Sequence, residues 1–246
     1  MALSASAKEN LSRLFPGDPS PLWDSDPEFM ELFTNFALGE VVDQGSLDEQ
    51  TRMMAVLAAL LGCQGVSEYR EQLPAALRAG VTPAQAKEVL YQAVAYLGLG
   101  RVRPFFDAAN QVLQEQGVSL PLAPGSTTTA ETRLTAGDQA QVDIFGEGMR
   151  GAWKQGHVNR WLAANCFGDS YTRGGLDLRG REMITFCFLA AQGGCEPQLT
   201  SHAAANLRLG NDKRFLIDAI SQCLPYIGYP RSLNALRCVN EAAGNQ

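Results

Sequence analysis

The sequence predicts an all-α chain made of two similar helical units in tandem, and three observations carry that prediction. The first is an internal repeat. LDEQTR at 47–52 leads into MMAVLAALLG, LPAALRAG and VTPAQAKEVLYQAVAYLG, and LDLRGR at 176–181 leads into EMITFCFLAAQGG, HAAANLRLG and NDKRFLIDAISQCLPYIG. Arg52 aligns with Arg181 at an offset of 129 residues, and Gly80 with Gly210, Tyr96 with Tyr226 and Gly98 with Gly228 at 130, so one residue is inserted in the polar connection. The second observation is that 53–61 and 183–191 are apolar all round, alanine-rich and free of turn residues, as buried helices are. The third is that neither copy alternates apolar and polar residues as a strand does.

The elements follow in order. Residues 53–61 form the core helix of the first copy. Thr82, Pro83 and Gln85 combine an N-cap, proline at the first helical position and a capping-box partner, opening a helix that closes at Gly98. Residues 118–137, VSLPLAPGSTTTAETRLTAG, concentrate Pro, Gly, Ser and Thr and read as a connection. This divides the chain into a first unit at 1–120, a linker at 121–137 and a second unit at 138–246. A helix begins at 138–145, a second core helix covers 183–191, and Pro197 opens the helix that carries His202. Asn211 or Asp212 caps the next helix and Gly228 stops it, with Pro225 expected to kink or shorten its last turn.

Composition narrows the function. With 246 residues, 46% hydrophobic and 19% charged, the chain buries a substantial core, which disfavours disorder or a disulfide-stapled miniprotein. Its 26 acidic against 20 basic residues give a charge of -6 and no broad positive field for nucleic acid. Two histidines, His157 and His202, cannot build a three-histidine metal centre in one chain. Six cysteines without C-x-x-C spacing read as buried thiols of a reducing cytoplasm. The first ten residues lack a signal peptide's layout, and the longest apolar run is about half the roughly 20 residues that cross a bilayer. Neither export nor a membrane span is expected.

Gly146, Gly148 and Gly151 spell G-x-G-x-x-G, but a dinucleotide site needs a preceding strand, and a helix is expected there. The copies' differences are more informative. His202 aligns with Gln72, and Glu182 with Met53. A lone histidine on a helix is commonly a packing or surface residue. Here Arg173, Arg179 and Arg181 cluster just before the core helix, either as guanidinium forks for a carboxylate-bearing substrate or as a solvated, charged loop. Glu182 is expected at the N-terminus of the core helix, either orienting the imidazole for acid–base work or simply favoured by the helix dipole. Cys195, seven residues before His202, is either a thiol nucleophile activated by that imidazole or a small residue in a turn.

On LDLRGREMITFCFLAAQGG, LTSHAAANLRLGN and PYIGYPRSLNAL, with GVTPAQAKEVLYQAVAYLG from the first copy, the chain resembles the carboxymuconolactone decarboxylase family, whose related branch includes the alkylhydroperoxidase D-like proteins. The resemblance implies an all-α fold that assembles into rings, hexameric for single-unit members and trimeric for a two-unit chain. It implies cofactor-free removal of carbon dioxide from 4-carboxymuconolactone, or related chemistry on a small cyclic acid, with no metal or organic cofactor. His202 stands where the family's histidine stands, as acid or base, and Glu182 orients it. Arg181 binds an acidic small-molecule substrate, with Arg173 and Cys195 counted among the residues that meet it. The peroxidase branch uses C-x-x-C, and Gln198 occupies the second cysteine's place, which disfavours a dithiol cycle. A thiol redox protein using Cys195 and His202, and a non-catalytic binding or assembly protein, are the alternatives.

Overall fold

All regular secondary structure among the described residues of the computed structural model, 2–17 and 20–244, is helical. The first unit contains α1 (Ala5–Leu14), α2 (Leu22–Ser25) and α3 (Pro27–Thr34), which continues through a π-helical stretch, Asn35–Glu40, into α4 (Val41–Gln44). It is completed by α5 (Glu49–Cys63), α6 (Val66–Arg78), α7 (Pro83–Leu97) and α8 (Leu99–Glu115). The second unit follows the same plan: α9 (Arg133–Phe145), two 3₁₀ turns, and α10 (His157–Trp161), which runs into π-helical Leu162–Tyr171. Then come α11 (Leu178–Gln192), α12 (Glu196–Arg208), α13 (Lys213–Ile227) and α14 (Tyr229–Gly244). No strand occurs among the described residues, and none of their helices is long and apolar enough to cross a membrane.

Local chemistry sets the helix ends. Asp48 and Asp177 accept the backbone N–H of Thr51 and Gly180 at 2.9 and 2.8 Å, the N-cap bond that typically contributes about 1 kcal/mol. Thr82 and Gln85 form the expected capping box, Asp212 rather than Asn211 caps α13, and Pro197 lies in the first turn of α12. Three expectations need correction. Pro225 does not shorten α13, which spans 15 residues like α7, because Ile220, Cys223 and Ile227 anchor its last turns in the core. Glu182 is not at the start of α11, which begins four residues earlier at Leu178 under the Asp177 cap. The connection, expected to run to residue 137, leaves the helical state only as far as Thr132, since α9 opens at Arg133.

The apolar core helices α5 and α11 pack against each other at the centre, buried from Arg52 to Gly62 and from Arg181 to Ala191. Gly62 makes this approach feasible: a Cβ there would lie 2.6 Å from the Phe188 carbonyl and 2.7 Å from the Ala191 Cβ. Each central helix is also covered by the opposite unit, α11 by α7 and α5 by α13, so a single core spans both units. A smaller cluster joins α9 to the π-helical stretch through Ile144, Phe167 and Tyr171. There Gly137 and Gly168 are pressed against backbone, with a Cβ at either position falling 1.8 Å from the Ala163 carbonyl or 2.0 Å from that of Arg133.

Because this crossing has no room for a methyl group, Gly137→Ala is expected to destabilise the chain by on the order of 3 kcal/mol through overpacking. Gly148→Ala, where nothing lies within 4 Å, serves as the near-neutral control. Equilibrium urea denaturation of both variants checks this; equal midpoints would contradict the packing described.

Candidate active site

The site is assembled where α7 of the first unit meets α11 and α12 of the second. Glu88, Gln92 and Tyr96 recur every fourth residue along α7, which places them on one helical stripe. That stripe faces α11. Glu88 holds two arginines, accepting from Arg173 Nε at 2.9 Å and from Arg181 Nη2 at 3.0 Å. Gln92 accepts from Arg181 Nη1 at 2.9 Å and donates to the Arg181 carbonyl and to Thr185 Oγ1, both at 2.8 Å. The Tyr96 hydroxyl lies 2.7 Å from that of Tyr171, which also contacts Thr185 Oγ1 and donates to Glu182 Oε1, both at 2.8 Å.

The chain ends at His202. Glu182 is fully buried, and its second oxygen, Oε2, lies 2.7 Å from His202 Nδ1. A carboxylate only accepts, so the imidazole carries a proton on Nδ1 and leaves Nε2 for exchange with a ligand. Asn206 fixes the local backbone, donating to the carbonyls of Glu182 and His202 at 2.9 and 2.8 Å. The rings of Tyr96 and Phe145 stand edge-on to the imidazole, centroids 5.5 and 5.4 Å away, leaving a tenth of the side chain exposed. Burial, with the charge of Glu182 adding to it, raises both Tyr96 and Tyr171 well above the ordinary phenol value, so both hydroxyls remain donors.

The structure thus brings together His202 and Glu182 and separates them from the expected substrate cations. Arg181 is completely buried; its Nη1 and Nη2 groups donate to Glu88, Gln92 and the carbonyls of Arg173 and Gly174, and its Nε is buried without a partner. Arg173 pairs with Glu88 and lies over the Tyr91 ring, while Arg179 donates to Asn211 and the Gly210 carbonyl. In this structure the carboxylate that Arg181 and Arg173 bind is Glu88. The linker is pinned over this cluster, with the Gly174 N–H bonded to the Gly125 carbonyl at 3.0 Å. Cys195 is the N-cap residue of α12; its thiol donates to the Leu189 carbonyl and accepts from Gln192. Burial pushes that thiol above its ordinary value, the opposite of activation.

Sequence reasoning missed Glu88, Gln92, Tyr96, Thr185 and Tyr171. For the α7 residues a signal existed, because Asp218, Gln222 and Tyr226 repeat the acid, glutamine and tyrosine at an offset of 130. Tyr171 aligns with Val42 and sits on a π-helical turn, which has no readable periodicity. The Gly146, Gly148 and Gly151 triplet follows a helix and leads into 3₁₀ turns, as expected of a chance match.

Comparison with known proteins agrees with this architecture. The family model described as "Carboxymuconolactone decarboxylase family" matches residues 27–111 and 157–241, once in each unit, and the chain belongs to that family. A 4-carboxymuconolactone decarboxylase of Acinetobacter baylyi is 29% identical over 96 residues, covering 39% of this chain and 72% of that protein. A crystal structure from Burkholderia xenovorans bearing the name gamma-carboxymuconolactone decarboxylase subunit superposes with a TM-score of 0.54 at 21% identity, covering 98% of this chain and 97% of that one. The latter similarity establishes shared fold.

Two outcomes follow. Glu88→Ala leaves the Arg181 charge buried without a partner and is expected to cost about 3–5 kcal/mol in a denaturation series; a loss below 1 kcal/mol would return Arg181 to the role of ligand receptor. Alkylation of Cys195, followed by peptide mass spectrometry, is expected to be slow at pH 7 and to accelerate only above the ordinary thiol range, since burial favours the protonated form. Fast labelling at neutral pH would instead support an activated thiol.

Proposed function

We propose that the chain is a carboxy-lyase that removes carbon dioxide from a small carboxylated lactone or related cyclic acid, without a cofactor and with its site at His202. The observation that carries this reading is the buried Glu182–His202 pair at 2.7 Å, present in the second unit and replaced in the first by Met53 and Gln72. The family, together with a curated relative named as a 4-carboxymuconolactone decarboxylase, supports that lactone as the first substrate to try.

In this mechanism the carbon–carboxylate bond breaks and its electron pair enters the conjugated lactone. Carbon dioxide leaves, and a proton that His202 Nε2 has taken up from solvent, forming the imidazolium, is returned to carbon, which restores the neutral ring. Glu182 accepts the Nδ1 proton throughout and stabilises the imidazolium that donates. Tyr171 holds the other Glu182 oxygen, and Tyr96 holds Tyr171, so these two act as positioning residues. With Arg181 and Arg173 committed to Glu88, the exposed guanidinium of Arg208, packed against Gly146 beside Phe145, is the cation we assign to an incoming carboxylate. Assembly of two-unit chains into a trimeric ring belongs to the same reading. A thiol redox function is disfavoured by the raised Cys195 thiol.

The test is carbon dioxide release from 4-carboxymuconolactone by purified protein. His202→Ala is expected to lower kcat by 10²–10⁴-fold, the usual contribution of a positioned acid or base, and Glu182→Gln to lower kcat more than it changes KM. Full activity in a folded His202→Ala protein would sink the assignment.

A further inference from the structure

The repeat gives the candidate site a counterpart in the first unit, and there the surroundings are built differently. Gln72, Met53 and Val42 stand at the places of His202, Glu182 and Tyr171, while Tyr226 matches Tyr96 and Phe15 matches Phe145. In the second unit Gly137 and Gly168 let α9 settle onto the π-helical stretch, and Phe145 closes on the imidazole. In the first unit Ala7 stands at the place of Gly137, while Gly39 repeats Gly168 at the offset of 129. Space remains there: a cavity of about 790 Å³ whose lining includes Phe15, Phe29, Phe33, Leu38, Gln72 and Tyr226.

This volume falls within the range of roughly 300–1,000 Å³ typical of small-molecule sites, which join an apolar lining to a few polar groups. Five aromatic side chains, Phe15, Trp23, Phe29, Phe33 and Tyr226, contribute to the lining, with Phe33 meeting Tyr226 edge-on at 6.1 Å. The polar groups lie together. Gln72 Nε2 donates to Glu68 Oε1 at 2.9 Å, which leaves the Gln72 carbonyl oxygen and second amide hydrogen for a ligand. Burial, reinforced by the Glu68 charge, keeps the Tyr226 hydroxyl protonated. The charges disfavour an anion, since Glu68 is beside Gln72, Arg70 is paired with Glu115 at 3.7 Å, and Arg78 donates to the Leu14 carbonyl at 2.8 Å.

We propose that this cavity is a second binding site, which takes a neutral aromatic or alicyclic molecule whose carbonyl or hydroxyl group bonds to Gln72 and Tyr226. It has no imidazole and no buried carboxylate at the places of His202 and Glu182, so its ligand is held and not transformed. The inference stands apart from the decarboxylase reading, and its test requires no turnover.

N-phenyl-1-naphthylamine, a neutral fluorescent probe, is titrated into the full chain. Saturable binding of one probe per chain is expected, with displacement by benzamide at least tenfold more effective than displacement by benzoate. Of the three tryptophans, Trp23 lines the cavity, so a Trp153→Phe, Trp161→Phe variant retains energy transfer from Trp23 to the probe. Leu38→Trp fills the space and should weaken binding at least tenfold with the melting transition preserved. Absence of saturable binding, no transfer from Trp23, or preference for benzoate would each overturn the proposal. Should Leu38→Trp fail to fold, the single-tryptophan variant decides.

Discussion

The buried Glu88–Arg181 ion pair is the interaction on which the rest of the architecture depends. Arg181 is fully enclosed, and a guanidinium in that position is tolerable only with a carboxylate and several acceptors around it. Glu88 comes from the first unit and Arg181 from the second, so satisfying the charge fixes the register between α7 and α11. That register in turn sets Gln92 against Thr185 and Tyr96 against Tyr171. An ion pair of this kind contributes little net stability beside an apolar alternative. Its effect is specificity, since sliding α7 past α11 would strand every member of the network at once.

The same register explains why a two-unit chain with one candidate site histidine still needs both units. Tyr96 reaches from the first unit to the Tyr171 that braces Glu182, and its ring also packs on His202. The first unit is therefore part of the candidate site even though its own position for the imidazole is filled by Gln72. Duplication has left packing in both copies, with α5 and α11 equally buried, and has allowed their polar centres to diverge. One is closed around a hydrogen-bonded network, and the other opens into a cavity with aromatic side chains in its lining.

The helices, their caps and the tandem organisation were legible in the sequence, because hydrophobic periodicity and caps are local signals and the repeat doubles each of them. The pairing of His202 with Glu182 was legible from their shared absence in the first copy. The partner of the arginines was not legible. Sequence shows that Arg173, Arg179 and Arg181 cluster but not that Glu88, some ninety residues earlier, neutralises two of them. Tyr171 escaped notice because a π-helical turn shifts side chains off the period of 3.6 residues, and Glu182 lay a turn deeper in its helix than the charge pattern suggested.

The central claim is that this network fixes the imidazole of His202 with its Nδ1 proton on Glu182. Nitrogen-15 NMR of histidine-labelled protein measures it directly, since the chain has only two histidines to resolve. The account predicts that the neutral His202 ring is the Nδ1–H tautomer, with a downfield Nδ1 proton that disappears in Glu182→Gln. An Nε2–H tautomer, or a spectrum unchanged by that substitution, would contradict it.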